Sequence, residues 1–206
     1  LFPLQKLYAG AEAIRSRNFA LRLPFLGRDE FGEMAEIFNT TMVDLEELQV
    51  AGVIQEHLLP RQMPECGRFR VFGRIVSMGE LGGDYFDYFR VGDNGLGVFF
   101  GDVAGHGIPA ALVMSMAKAV VADARSQFAG PSAMLQRANG ILLHLKEKGW
   151  RRMMTAQCLE LDCETGKFRL ANAGQCFPVV IGEDREGVTY VKAFGMPLGN
   201  VTRKPY

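Results

Sequence analysis

Two short stretches hold the residues whose types and spacing could do chemistry. In GGDYFDYF (82–89), Asp84 follows a Gly-Gly turn at the start of a strand-like run; in FFGDVAGHG (99–107), Asp102 closes another. If these strands are neighbours, two carboxylates meet at one rim of a sheet. Unneutralised, they repel, and one keeps its proton. A hard divalent cation removes the conflict, because Mg²⁺ and Mn²⁺ favour carboxylate, carbonyl and water oxygens. Gly101, Gly105 and Gly107 would let the backbone approach an ion, with the Val103 carbonyl as a further ligand. Taken singly, a strand-end aspartate is more often a turn former or helix cap. His106 is open to two readings, a general acid or a residue that structures the Gly-His-Gly turn. The other histidines are His57 and His144, so a histidine-rich metal site is excluded and nothing suits zinc.

The elements that must position these groups follow from periodicity. Runs at 68–76, 84–91, 95–101, 153–161, 167–172, 177–181 and 188–193 read as strands, with DCETG (162–166) and GEDREG (182–187) as hairpin connections. Helical patterns span 108–127 and 131–148, the first with Pro109 in its first turn. Strands grouped before and after a helical pair predict an α+β layered domain rather than a doubly wound parallel sheet.

The first fifty residues have a different texture. In RDEFGEMAEIFNTTMVDLEELQ (28–49), Phe31, Met34, Phe38, Thr41, Leu45 and Leu48 keep alternate spacings of three and four, the seam of a coiled coil. Leu4, Leu7, Ala11 and Ile14 repeat the habit behind Pro3. The stretch SRNFALRLPFLG between them lacks helical period and predicts an extended connector. Two short amphipathic helices bury little apolar surface alone, so association with a second copy is the natural remedy. The helical pattern continues through VAGVIQEHLLPRQMP (50–64), read as a linker, until Pro60 and Pro64 stop it.

Lys plus Arg equals Asp plus Glu, which argues against a nucleic-acid partner or an anionic membrane surface. The basic run KEKGWRR (146–152) reads as a solvated loop. Cys66, Cys158, Cys163 and Cys176 form no C-x-x-C pair and are expected to be reduced thiols. No run of 18 apolar residues and no signal peptide is present, so the chain is expected to be soluble.

Residues 1–49 resemble a HAMP domain: Pro3 in the first helix, Asp29-Glu30-Phe31-Gly32 opening the second, and Phe38-Asn39 to Met42 carry the likeness. The resemblance implies a parallel dimeric four-helix bundle, a homodimer through the seam above. It also implies a transmembrane helix upstream in the parent protein, with this chain on the cytoplasmic side of the inner membrane.

The remainder, as domain 65–206 with Gln55 to Pro60 (Q-x-x-L-L-P) leading in, resembles the SpoIIE/RsbU-like branch of the PPM metal-dependent serine/threonine phosphatases. The matching pieces are Gly82-Gly83-Asp84-Tyr85-Phe86-Asp87, Gly101 through Gly107, Pro109-Ala110-Ala111, Met114, Met154-Thr155-Ala156, Asn172-Ala173-Gly174 and Gly195-Met196-Pro197-Leu198-Gly199. The resemblance implies an αββα sandwich with two Mn²⁺ or Mg²⁺ ions, Asp84 binding one, Asp102 bridging both and the Val103 carbonyl assisting. It implies hydrolysis of phosphoserine or phosphothreonine on a protein, a STAS-type anti-anti-sigma factor, by an activated water. Two departures stand out. Gln175 replaces the usual His after Asn-Ala-Gly, and no Asp is followed by Gly, although relatives place a metal-binding Asp-Gly motif beyond the P-L-G segment. The expectation is a domain whose C-terminal part is missing. The alternative is a non-catalytic module that passes HAMP movement to a partner.

Overall fold

The computed structural model of the chain describes residues 2–62, 64–76, 81–182 and 187–200. It divides into two compact units, Leu1–Ile54 and Gln55–Tyr206.

In the first unit, α1 (Phe2–Arg15) is joined by a non-helical connector to α2 (Glu30–Leu58), whose last residues belong to the second unit. Asp29 caps α2, its Oδ1 accepting from the Gly32 amide at 3.2 Å. Gly32 is required because a Cβ there would collide with the Gly27 carbonyl. Asn39 holds the connector by both amide atoms: Oδ1 accepts from Leu23 N at 2.7 Å and Nδ2 donates to Leu23 O at 3.0 Å. Ala13, Phe19 and Met42 are buried together, with Leu21, Phe38 and Leu45 packed against them. The expected seam therefore divides. Phe38 and Leu45 pack inside the unit, Phe31 and Leu48 are half-buried, and Met34 and Thr41 are exposed. Met42, which lies off the heptad seam, is the large apolar side chain that this helix buries completely, beside the smaller buried Ala35.

The second unit is built on a four-stranded antiparallel sheet, ordered β3 (Asp84–Val91), β4 (Gly95–Val103), β5 (Met154–Asp162) and β6 (Phe168–Ala173). Between β4 and β5 run α3 (Ile108–Ala124), a single 3₁₀ turn at Arg125–Gln127, and α4 (Pro131–Glu147). Period-two alternation decides the faces. Tyr85, Phe89, Phe99, Val103, Met154, Ala156, Cys158, Ala171 and Ala173 pack with Val113, Met114, Ala117 and Val121 of α3 and Leu135, Ala138 and Leu142 of α4. The opposite face carries Phe86, Tyr88, Phe100 and Gln157. The described residues thus supply one sheet and one helical layer, the order of half a sandwich, together with two small ribbons. No described helix is long and apolar enough to cross a membrane.

Three expectations change. Of the strand expected at 68–76, only β2 (Phe69–Arg70) pairs, with β1 (Glu65–Cys66). Beyond it the chain crosses the side chains of the open sheet face, where Gly73 sits so close to Tyr88 and Phe86 that a Cβ would overlap them. Secondly, Cys66 and Cys163 are not free thiols but a disulfide, Cα to Cα 5.2 Å, because β1 returns to the β5–β6 turn and both residues bury beside Leu96. Cys158 and Cys176 are free, and burial, with Glu160 nearby, pushes the Cys158 thiol up to about 12. Thirdly, the distal strands are short: β7 (Val179–Ile181) pairs with β8 (Val188–Tyr190). Most of the GEDREG connection and the terminal VTRKPY lie outside the described residues.

Candidate metal centre

The β3–β4 ladder places Asp84 directly opposite Asp102. The Val103 amide donates to Gly83 O at 3.3 Å, so the adjacent 84/102 pair is the non-hydrogen-bonded kind, whose side chains stand closer. Both carboxyls are exposed at the sheet rim. The Asp102 carboxyl is raised above the ordinary carboxylate range by partial burial, then by the charge of Asp84 and a hydrogen bond to it. This is the unneutralised pair that the sequence anticipates. A hard cation fits it in chemistry, and Gly83 keeps the approach to the Val103 carbonyl open, since a Cβ there would lie 2.7 Å from that oxygen. Among the described residues, no group of three His, Cys, Asp or Glu side chains gathers anywhere to hold an ion. The site consists of two carboxylates and one carbonyl.

The glycines of this motif also answer to their protein surroundings. A Cβ on Gly101 would strike the Thr155 carbonyl across the β4–β5 ladder at 2.5 Å. Gly107 has open space around it and is needed for its φ of 72° at the start of α3, where Pro109 follows. Gly105, at φ 98°, yields its place to Arg152: a Cβ would overlap the guanidinium, whose Nη1 donates to Ala104 O at 2.9 Å. Arg152 belongs to the basic run read as a solvated loop, yet it is hydrogen-bonded to the loop that follows Asp102. Its position just before Met154-Thr155-Ala156 was the available signal. His106 is exposed between the two glycines and has no hydrogen-bond partner among the described residues.

The remaining motif residues support the rim. Gln55 Nε2 donates to Gly82 O at 2.7 Å and its Oε1 accepts from Gly82 N at 3.1 Å, while Leu59 packs on the core, which accounts for Q-x-x-L-L-P. Asp87 is buried on the helix side of β3. It accepts from Lys118 Nζ of α3 at 2.5 Å, Tyr85 Oη at 3.0 Å and Tyr88 N at 2.9 Å. Strand alternation alone sets Asp87 between Tyr85 and Phe89 on the core face, where a charge needs a partner. Buried Asn172 binds the Gln175 amide at 2.8 Å and the carbonyls of Gln175 and Ala193 at 3.0 and 2.7 Å. Gln175 Oε1 accepts from Cys176 N at 3.2 Å, so the residue in the usual histidine position is turned to its own backbone. Leu198 of the P-L-G segment exchanges backbone hydrogen bonds with Met154, the partner of Val103, and the Gly199 amide donates to Asn139 at 2.8 Å.

A cleft of about 520 Å³ runs from Asp84 and Gln175 over Phe86, Tyr88 and Phe100, walled by residues 71–76. Two buried polar atoms on this sheet face, Tyr88 Oη and Gln157 Oε1, have no hydrogen-bond partner among the described residues.

Residues 92–206 match the family model for stage II sporulation protein E (SpoIIE), and residues 3–47 match the HAMP domain. Phosphoserine phosphatase RsbP of Bacillus subtilis is 25% identical over 156 residues, covering 74% of this chain and 38% of that protein. Phosphoserine phosphatase RsbU of the same organism is 28% identical over 96 residues, 47% of this chain and 28% of that protein. The chain thus spans well under half the length of these curated relatives. Among solved structures, the SiaA-PP2C domain of Pseudomonas aeruginosa superimposes with a TM-score of 0.60 at 21% identity, covering 78% of this chain and 65% of that one. The RsbU and RsbW domains of Rv1364c from Mycobacterium tuberculosis give 0.52 at 28% identity, covering 61% and 34%.

Proposed function

Because the chain belongs to the SpoIIE family and carries a HAMP domain ahead of that match, we infer that it is the input and catalytic part of a signalling phosphatase. The reaction is hydrolysis of phosphoserine or phosphothreonine on a regulatory protein. Water oxygen bonds to phosphorus in line with the breaking P–O bond; the side-chain oxygen takes a proton and leaves as the hydroxyl, and inorganic phosphate is the second product. The observation that carries this reading is the direct opposition of Asp84 and Asp102 at an exposed rim.

Asp84 and Asp102, with the Val103 carbonyl, would hold the ions. Bound Mn²⁺ or Mg²⁺, two ions in the complete domain, would supply a nucleophilic water at neutral pH and offset charge on the phosphoryl oxygens. His106, exposed on the loop between Gly105 and Gly107, is free to meet the substrate. The substrate is a phosphorylated STAS-type protein of the anti-anti-sigma kind. Two relatives named phosphoserine phosphatases, RsbP and RsbU, support phosphoserine as the group hydrolysed.

The HAMP unit is proposed to form a parallel homodimer. Its apolar Leu4, Met34 and Ile37 are all more than half exposed in the single chain, as residues awaiting a second copy would be. In the parent protein a transmembrane helix would precede it and place the phosphatase on the cytoplasmic side of the inner membrane. The Gln55 clamp on Gly82, two residues before Asp84, supports control of the site through α2.

The test is phosphate release from a phosphoserine-bearing STAS protein, with and without Mn²⁺. Mn²⁺-dependent release that Asp102→Ala abolishes supports the reading. Equal release by Asp102→Ala, or none by any chain containing this domain, overturns it in favour of a non-catalytic module.

A further inference from the structure

We propose that Arg152 binds the phosphoryl group of the substrate, an assignment that rests on the phosphatase reading above. Arg152 is tied to the loop that follows Asp102. Its Nη1 donates to the carbonyl of Ala104, two residues beyond Asp102, at 2.9 Å. The same residue is gripped from the other side, the Ala104 amide donating to Met153 O at 2.8 Å. Gly105 completes the seat, because only a residue without Cβ leaves the guanidinium its space. One donor of the fork is therefore spent on fixing its plane. Nη2 and Nε make no hydrogen bond to any described residue, and the side chain is only half-buried.

A guanidinium with one arm anchored and the rest unspent is preorganised for a bidentate oxyanion, and phosphate matches its geometry. The charge balance at the rim calls for it. Asp84 and Asp102 make the edge acidic, and a phosphomonoester dianion entering it gains from a fixed cation on the loop side. Lys148 and Arg151, exposed in the same connection, extend the positive field toward solvent. Lys146 of that run is committed elsewhere, its Nζ 3.3 Å from the carbonyls of Gly199 and Asn200.

Trp150, the single tryptophan, lies two residues away and serves as reporter. Inorganic phosphate is titrated against its fluorescence with Mg²⁺ present in the wild type, Arg152→Gln and Arg152→Lys. Mg²⁺ affinity, melting temperature and KM for a phosphoprotein are measured in each. Arg152→Gln is expected to weaken phosphate binding by about 10- to 100-fold and raise KM in step, with Mg²⁺ affinity changed by less than about threefold. Arg152→Lys, which keeps the charge and the stem, recovers part of the loss. Unchanged phosphate affinity in Arg152→Gln overturns the assignment. So does an equal fall in Mg²⁺ and phosphate affinity that Lys does not relieve, since the arginine would then only hold the loop. If the wild type neither binds phosphate nor hydrolyses phosphoserine, the phosphatase reading itself fails; if it hydrolyses and Arg152→Gln binds phosphate normally, only the role of Arg152 falls.

Discussion

The side-chain amide of Gln55 closes on the Gly82 peptide from both sides, donating to its carbonyl at 2.7 Å and accepting from its amide at 3.1 Å. The clamp joins the end of α2 to the turn that launches Asp84. Gln55→Ala removes both bonds at a cost of about 1–2 kcal/mol and frees that turn. Mn²⁺ affinity should fall several-fold while the melting temperature moves by a few degrees, as calorimetric titration and thermal unfolding would show.

The opposed aspartates make the metal-free fold pay an electrostatic cost that rises with pH. Asp102 has a raised pKa in the fold, so its contribution is fully favourable below the ordinary carboxylate value and is lost as pH rises through the raised one. Asp102→Asn should therefore stabilise the chelator-treated protein at pH 7.5 by about 0.2–1 kcal/mol and do little below pH 4. Thermal unfolding in excess EDTA at both pH values checks this. Added Mn²⁺ should reverse the order of wild type and variant.

Lys118→Met leaves Asp87 as a buried carboxylate whose remaining partners among the described residues are Tyr85 Oη and the Tyr88 amide. The expected loss is about 3 kcal/mol by urea unfolding. The double variant Asp87→Asn with Lys118→Met should regain most of it, because no charge is then stranded in the core. A double variant as unstable as Lys118→Met alone would show that packing of the lysine stem dominates.

Gly105→Ala confronts both a left-handed backbone and the Arg152 guanidinium. It should cost about 1–3 kcal/mol and displace Arg152 from the Ala104 carbonyl. Adding Arg152→Gln to it should then cost almost nothing more in phosphate affinity, an interaction that a double-variant cycle reads directly.

The Cys66–Cys163 bond ties positions 97 residues apart at the sheet end remote from Asp84. Reduction should lower stability by about 2–4 kcal/mol, as chemical unfolding with and without dithiothreitol would measure. Metal affinity should not change.

Strands β3, β4, β5 and β6 and helices α3 and α4 were legible because apolar period and glycine punctuation agree there with burial. The pairing of Asp84 with Asp102 was legible for the same reason: two strands divided by a short turn pair in register. The run at 68–76 misled because its residues look like a strand but lie across a sheet face, a tertiary matter that alternation does not encode. Asp87 and Lys118 were overlooked as partners since they come from different elements 31 positions apart. Arg152 was taken for solvated charge because its sequence neighbours are basic, whereas its role is set by what Gly105 leaves open. The heptad over α2 located the apolar face but not its division between Met42, buried in the single chain, and Met34, which is not.

Asp84 and Asp102 project from the last pair of their strands into solvent, and none of the core beneath them depends on either carboxylate. The scaffold is therefore separable from the proposed chemistry. On the proposed mechanism, a single substitution at either position would end the reaction and leave a folded, even sturdier, protein, ready for reuse as a binding partner. Such descendants would betray themselves by intact Gly83, Gln55 and Asp87 around a rim without its acids.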